Sequence, residues 1–206
     1  MIWIYGICDR AELPPPAGRG LADAPLEARA EGELVAVFSR HAQAVGDPEP
    51  AALWAHEQVV ERLMAERTVV PVRFGSTVAD DDALGRLLVE RREPFAAAIA
   101  RLRGRVELGV RVRGEAAAAA RSGRGHLAGK LQDSRRAVAL HEPLAGLACE
   151  AVRQPERDAG ELLRGAYLVD RAGVERFCGG VRHLQDAHPD IAILCTGPWP
   201  AYSFVG

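Results

Sequence analysis

Arg105-Val106-Glu107-Leu108-Gly109-Val110-Arg111-Val112-Arg113 is the stretch on which the fold turns. Val106, Leu108, Val110 and Val112 take every second position, with Glu107, Arg111 and Arg113 between them. That is the period of a half-buried strand with one wet face. The strand restarts the pattern midway along the chain, directly after a helical stretch. The chain therefore reads as two α+β domains, an N-terminal one over residues 1–103 and a C-terminal one over residues 104–206. Downstream, residues 116–147 are helical in character but interrupted by Gly123, Gly125 and Gly129. Residues 149–153 and 163–169 read as strands. Residues 171–187 form an amphipathic helix with Val174, Phe177, Val181 and Leu184 inward, and residues 191–195 a last strand. Strand, helix, strand, strand, helix, strand is the order of the ferredoxin-like split β-α-β arrangement (βαββαβ), which is predicted for the C-terminal domain.

Upstream, residues 1–8 and 33–39 are short apolar runs bounded by glycine or charge, each a predicted strand. The segment between them, with Pro14-Pro15-Pro16 and repeated glycine, reads as an exposed loop. Residues 49–67 open between Pro48 and Pro50 and carry Leu53, Val60, Leu63 and Met64 on one helical face. Val69-Val70-Pro71-Val72-Arg73-Phe74 is a strand that Pro71, lacking an amide hydrogen, places at a sheet edge or at a break in its ladder. Residues 80–103 resume helical periodicity through Leu84, Leu87, Leu88, Phe95, Ile99 and Leu102, with a bend near Pro94.

Composition narrows the class of function. The 206 residues are 48% hydrophobic, with 26 basic and 28 acidic residues and a formal charge of −2. Such a balance creates no field that draws a protein to nucleic acid or to an anionic membrane. No apolar run approaches the roughly 20 residues of a membrane-spanning helix, and the opening Met1-Ile2-Trp3-Ile4-Tyr5-Gly6 suits a strand better than a signal-peptide core. A soluble, cytoplasmic protein is expected. Cys8, Cys149, Cys178 and Cys195 lack any C-x-x-C spacing, which argues against zinc and redox pairs and for reduced, mostly buried thiols.

The candidate residues for chemistry lie mainly in the first half. His56 and Glu57 stand near the apolar face of the first long helix, where a histidine oriented by a carboxylate would serve as a base. The metalloprotease pattern H-E-x-x-H fails because Val60 holds the place of the second histidine. Arg73, in a strand that otherwise looks buried, needs a partner, and Glu57 or Glu61 is the acid most available to it. His56, Glu57 and Arg73 are therefore read first as a structural polar cluster and second as a pocket of a small enzyme or ligand-binding protein. Gly75-Ser76-Thr77 after Arg73 offers an anion some donors, though one glycine is far short of a phosphate loop. His183 and His188 miss the spacing for two ligands on one helical face, Ser203 has no nucleophile-elbow context, and Gly104, Gly109 and Gly114 do not follow the dinucleotide-binding order. RNA binding would need exposed aromatics and a basic face on the second sheet, and neither is evident. No catalytic residue, cofactor or metal is expected.

Thr196-Gly197-Pro198-Trp199-Pro200-Ala201-Tyr202-Ser203-Phe204 is the most unusual segment. Two prolines stiffen it and hold three aromatics in near-fixed directions. It is expected either to fold back over the second core or to present Trp199, Tyr202 and Phe204 as a preformed surface for a partner.

Several motifs together resemble one family. Trp54-Ala55-His56-Glu57 followed by Val69-Val70-Pro71-Val72-Arg73-Phe74-Gly75 is similar to the N-terminal signature of the GvpL/GvpF gas vesicle proteins. Gly165-Ala166-Tyr167-Leu168-Val169, Thr196-Gly197-Pro198-Trp199-Pro200 and Tyr202-Ser203-Phe204 are similar to the C-terminal signature, and Ile4-Tyr5-Gly6 and Glu107-Leu108-Gly109-Val110-Arg111 also fit. Ser76 stands where the family often has threonine and Ala201 where it often has a further proline, while residues 115–129 match poorly. Nothing in the motifs separates the F type from the L type. The resemblance implies a two-domain α+β protein that helps build a gas-filled protein shell, as an assembly accessory or minor structural component. Its implied partners are the small hydrophobic wall protein and other accessory proteins, and its implied location is the cytoplasm and the gas vesicle.

Overall fold

The computed structural model describes residues 1–12, 18–42, 49–114, 123–155, 158 and 160–205. The Pro14–Pro16 loop and the start of the helical segment expected from Ala116 lie outside the described residues. The chain divides into two units, Met1–Gly104 together with Pro200–Gly206, and Arg105–Trp199. Both mix helices with an antiparallel sheet, so the α+β class holds in each.

In the first unit, β1 (Ile2–Asp9) is apolar on both faces and buried along almost its whole length. A continuous apolar run suits a central strand covered on both sides. β1 pairs antiparallel with β3 (Leu34–Arg40) on one side and with β4 (Val69–Pro71) and β5 (Thr77–Val78) on the other. β2 (Glu27–Glu31) adds to β3, giving the order β2-β3-β1-β4. A register shift between Ile4 and Gly6 changes the parity of β1. Trp3, Tyr5 and Cys8 thereby share one face with Val59, Val60 and Leu63 of α1 (Pro50–Glu66), while Ile4 and Ile7 take the other. Gly6 is required at the shift: a Cβ there would stand 2.5 Å from Val69 Cγ2.

β2 falls in a segment read as loop. Its Glu-Ala-Arg-Ala-Glu composition has low strand propensity, and pairing to β3 supplies what propensity does not. The two strands are joined through Gly32, at φ +59°, as a two-residue hairpin requires. Pro71 does sit on an edge strand, but β4 ends there, and the segment expected to extend through Phe74 turns away instead. The helical stretch 80–103 is two helices, α2 (Asp81–Glu90) and α3 (Arg92–Leu102), broken at Arg91 and not at Pro94. Pro94 occupies the first turn of α3, where its missing amide hydrogen would have had no helical partner.

In the second unit, β6 (Arg105–Gly114) buries Val106, Leu108, Val110 and Val112, as its alternation predicts. α4 (Gly123–Ala145), β7 (Glu150–Arg153), β8 (Glu161–Asp170), α5 (Val174–Ala187) and β9 (Ile191–Trp199) follow. The sheet order is β7-β8-β6-β9, every pair antiparallel. The core joins the inward side chains of β6 to Leu140 and Leu144 of α4, Tyr167 of β8, and Phe177 and Val181 of α5. α4 runs through Gly125 and Gly129, the glycines expected to interrupt it, and it packs on the core further along through Leu140 and Leu144. The Gln185 side chain lies along β9, donating to the Ile191 carbonyl at 2.7 Å and accepting from the Ile193 amide at 2.8 Å. Cys8 is buried, Cys178 and Cys195 half-buried and Cys149 exposed; all are free thiols.

The C-terminal tail departs from both its expected domain and its expected core. Residues 200–206 belong to the first unit, not to the unit formed by β6–β9. Tyr202 packs on the α1 side of the first core, and its hydroxyl donates to Glu57 Oε1 at 3.0 Å.

Candidate functional site

His56 lies on the α1 stripe formed with Val59, Val60 and Leu63, and is fully buried. Trp3 Nε1 donates to its Nδ1 at 3.0 Å. Nε2 therefore carries the proton and donates to the Val72 carbonyl at 2.8 Å. Trp3 and Phe74 meet edge to face with centroids 4.8 Å apart, and the His56 ring packs against Phe74 and Tyr5. Burial pushes the His56 pKa below the usual histidine range, against the Val72 contact, which favours the charged form. Beside it, the fully buried Tyr5 hydroxyl bonds Ser39 Oγ at 2.7 Å and accepts from the Leu21 amide at 2.8 Å.

Burial raises the Glu57 carboxyl pKa above its ordinary value, while the Tyr202 hydroxyl works the other way. Burial also raises the Tyr202 phenol, and the Glu57 charge raises it further. Arg73 joins neither group. It is exposed, and the ring nitrogens of His56 are already used by Trp3 and Val72. A buried guanidinium paired with Glu57 or Glu61 is thus not what the fold provides, and His56, Glu57 and Arg73 do not converge on one pocket. The reason is the end of β4 at Pro71, which releases the following residues from the sheet.

Arg73 instead lines a cleft of about 860 Å³ on the face of the first sheet opposite α1. Its floor is Ile4, Ile7, Val70 and Val72; its wall is Leu87 of α2 with Phe95 and Ala98 of α3; Phe204 and Val205 of the tail line it as well. The interruption at Arg91 separates α2 from α3 beside this opening. Periodicity alone reads residues 80–103 as one bent core helix, so the only sequence signal beside the cleft is Pro94, a residue suited to the first turn of a new helix.

The three aromatics expected to face a partner have different surroundings. Trp199 is 43% exposed, at the end of β9. Tyr202 is half-buried against Glu57, and Phe204 is buried. Trp54 was overlooked: at 62% it is the most exposed aromatic ring among the described residues, with Leu53 beside it. Trp54 lies off the 56-59-60-63 stripe of α1, and that offset is the sequence signal for its exposure.

Among the described residues no group of His, Cys, Asp and Glu side chains gathers as a metal site, and no helix is long and apolar enough to cross a membrane.

A family model described as gas vesicle synthesis protein GvpL/GvpF matches residues 1–126 and 114–206. The chain belongs to this GvpL/GvpF family. It is similar to gas vesicle protein L of Streptomyces sp. (strain CB03234), 32% identical with 93% of this chain and 87% of that protein covered. It is also similar to gas vesicle protein F of the same strain, 28% identical over 98% of each. The crystal structure of the gas vesicle protein GvpF from Anabaena sp. PCC7120 superposes with a TM-score of 0.88 at 19% identity, covering 100% of this chain and 95% of that one, so the GvpF fold is shared. Membership gives the protein a role in the gas vesicle system, and the GvpL/GvpF family is not a family of enzymes.

Proposed function

We propose that this protein is a non-catalytic assembly accessory or minor structural component of the gas vesicle, holding the hydrophobic wall protein and docking other accessory proteins in the cytoplasm. Family membership supplies the system. The observation that carries the binding role is the open, largely apolar cleft of the first unit, on the sheet face opposite α1, while the polar side chains of the α1 side are already occupied. A wall subunit with a strongly apolar face needs cover before it is incorporated, and each Å² of apolar surface removed from water is worth roughly 25 cal/mol. Exposed Trp54 and Trp199 add the side-chain type that most often anchors interfaces. We read the second unit as ferredoxin-like. Its β-α-β-β-α-β succession, with β6 between β8 and β9, supports that arrangement.

The rival reading, an enzyme or ligand-binding protein built on His56, Glu57 and Arg73, needs those groups to meet in one pocket, and their partners lie elsewhere. Deleting the protein and imaging the cells tests the proposal, with washed vesicles probed for its presence in the parent strain. Fewer or malformed vesicles, together with capture of wall protein by the full chain, is the expected result. Vesicles of normal number and form in the deletion strain would overturn it.

A further inference from the structure

The cleft of the first unit combines an aliphatic interior with a one-signed electrostatic lining. Arg73, Arg91 and Arg101 all line it with exposed side chains, and no Asp or Glu is among the residues that line it. Neither Arg73 nor Arg91 is held in an ion pair by another described residue. Ser76, after the turn at Phe74 and Gly75, and Thr77 of β5 line the cleft too, and their hydroxyls bond no protein group among the described residues. A cavity of about 860 Å³ is of the size that takes a few side chains of a partner and not a whole domain.

We propose that this cleft binds a short apolar segment of a partner polypeptide that carries a carboxylate side chain. The apolar side chains of the segment lie on Ile4, Val70 and Val72, and its carboxylate meets the guanidinium groups of Arg73 and Arg91. The chemistry follows from complementarity. Arginine presents a planar fork that matches a carboxylate with paired N–H donors, and a partly desolvated setting strengthens that pairing relative to water. A purely apolar segment would leave the two arginines unanswered, and a cationic one would be repelled. The inference rests on the proposed function and deepens it, by naming where and by what chemistry the wall protein is held.

The test uses the full chain, fluorescein-labelled peptides tiling the wall protein, and fluorescence anisotropy. Each peptide bearing Asp or Glu is paired with its Asn or Gln counterpart. The variants are the double charge reversal Arg73→Glu/Arg91→Glu and the charge-conserving Arg73→Lys/Arg91→Lys. Both positions are exposed, so folding is retained, and circular dichroism verifies it. At least one apolar, acid-bearing peptide should bind, and amidating its acid should weaken binding roughly ten-fold, equivalent to about 1.4 kcal/mol. The Glu variant should lose binding, the Lys variant, which keeps the charge without the fork, should bind at an intermediate level, and raising the salt should weaken the wild type. Capture of intact wall protein with peptide affinities indifferent to both charge changes would overturn this inference and leave the proposed function standing. Failure of the intact chain to capture wall protein at all would overturn the proposed function, and with it the identity of the partner. Laurate that binds in an Arg73- and Arg91-dependent way while no peptide binds would overturn the inference in favour of a small anionic amphiphile.

Discussion

With Nδ1 accepting from Trp3 and Nε2 donating to the Val72 carbonyl, the His56 ring has no place for a second proton. Protonation at Nδ1 would set an N–H against the Trp3 N–H in a fully buried site. Because the folded pKa is depressed, the stabilising contribution of neutral His56 is complete above the unfolded value of about 6.5 and is lost as pH falls through the folded value. Urea unfolding at pH 7.5 and pH 5.5 should therefore show a loss in the wild type that shrinks in His56→Gln. At neutral pH, His56→Ala should cost about 2–4 kcal/mol, combining a cavity with an orphaned indole N–H and an orphaned carbonyl. That His56 faces the apolar side was legible from its helical position, but its partners were not. Trp3 is 53 residues away in sequence, and only the fold brings it near. The same holds for Glu57, whose donor Tyr202 lies 145 residues off.

At the scale of elements, capping and edge protection decide what periodicity leaves open. Asp80 caps α2, its side chain accepting from the Ala83 amide at 2.8 Å. Asp80→Ala should destabilise the protein by about 1 kcal/mol in denaturant titrations. On the free side of β9, the Gln185 amide occupies the place a neighbouring strand would take. Gln185→Ala should cost about 1–2 kcal/mol and speed hydrogen exchange at the Ile193 amide, while β6 amides exchange as before. Strand β6 was legible because its two faces differ so clearly. β2 was not, since alternating alanine with charge is no stronger in strands than in loops. The α2–α3 break also escaped the sequence: apolar positions keep helical spacing across Arg91, and it is the backbone at Arg91, φ −103° and ψ 17°, that departs from the helix.

For the whole molecule, chain order and spatial grouping diverge at the tail. Residues 200–205 contribute buried Ala201 and Phe204 and the Tyr202–Glu57 hydrogen bond to a unit otherwise made of residues 1–104. Composition marked this segment as unusual, yet stiffness and aromatic content say nothing about which core receives it. Removing residues 200–206 should destabilise the first unit by about 2 kcal/mol or more, chiefly through the lost burial of Phe204. Hydrogen exchange resolved by segment provides the check: β1 and β4 should lose protection, and β6 and β8 should keep it.

This grouping has a consequence during synthesis. At about 5–20 residues per second, the ribosome takes roughly 5–20 s to pass from the end of the first unit to residue 200. For that interval the nascent unit stands incomplete, with the seat of Phe204 empty and aliphatic surface open to water. Chaperone capture should accordingly be strong on ribosome-arrested chains from which residue 104 has emerged and fall on released chains, in which residues 200–205 are free to dock.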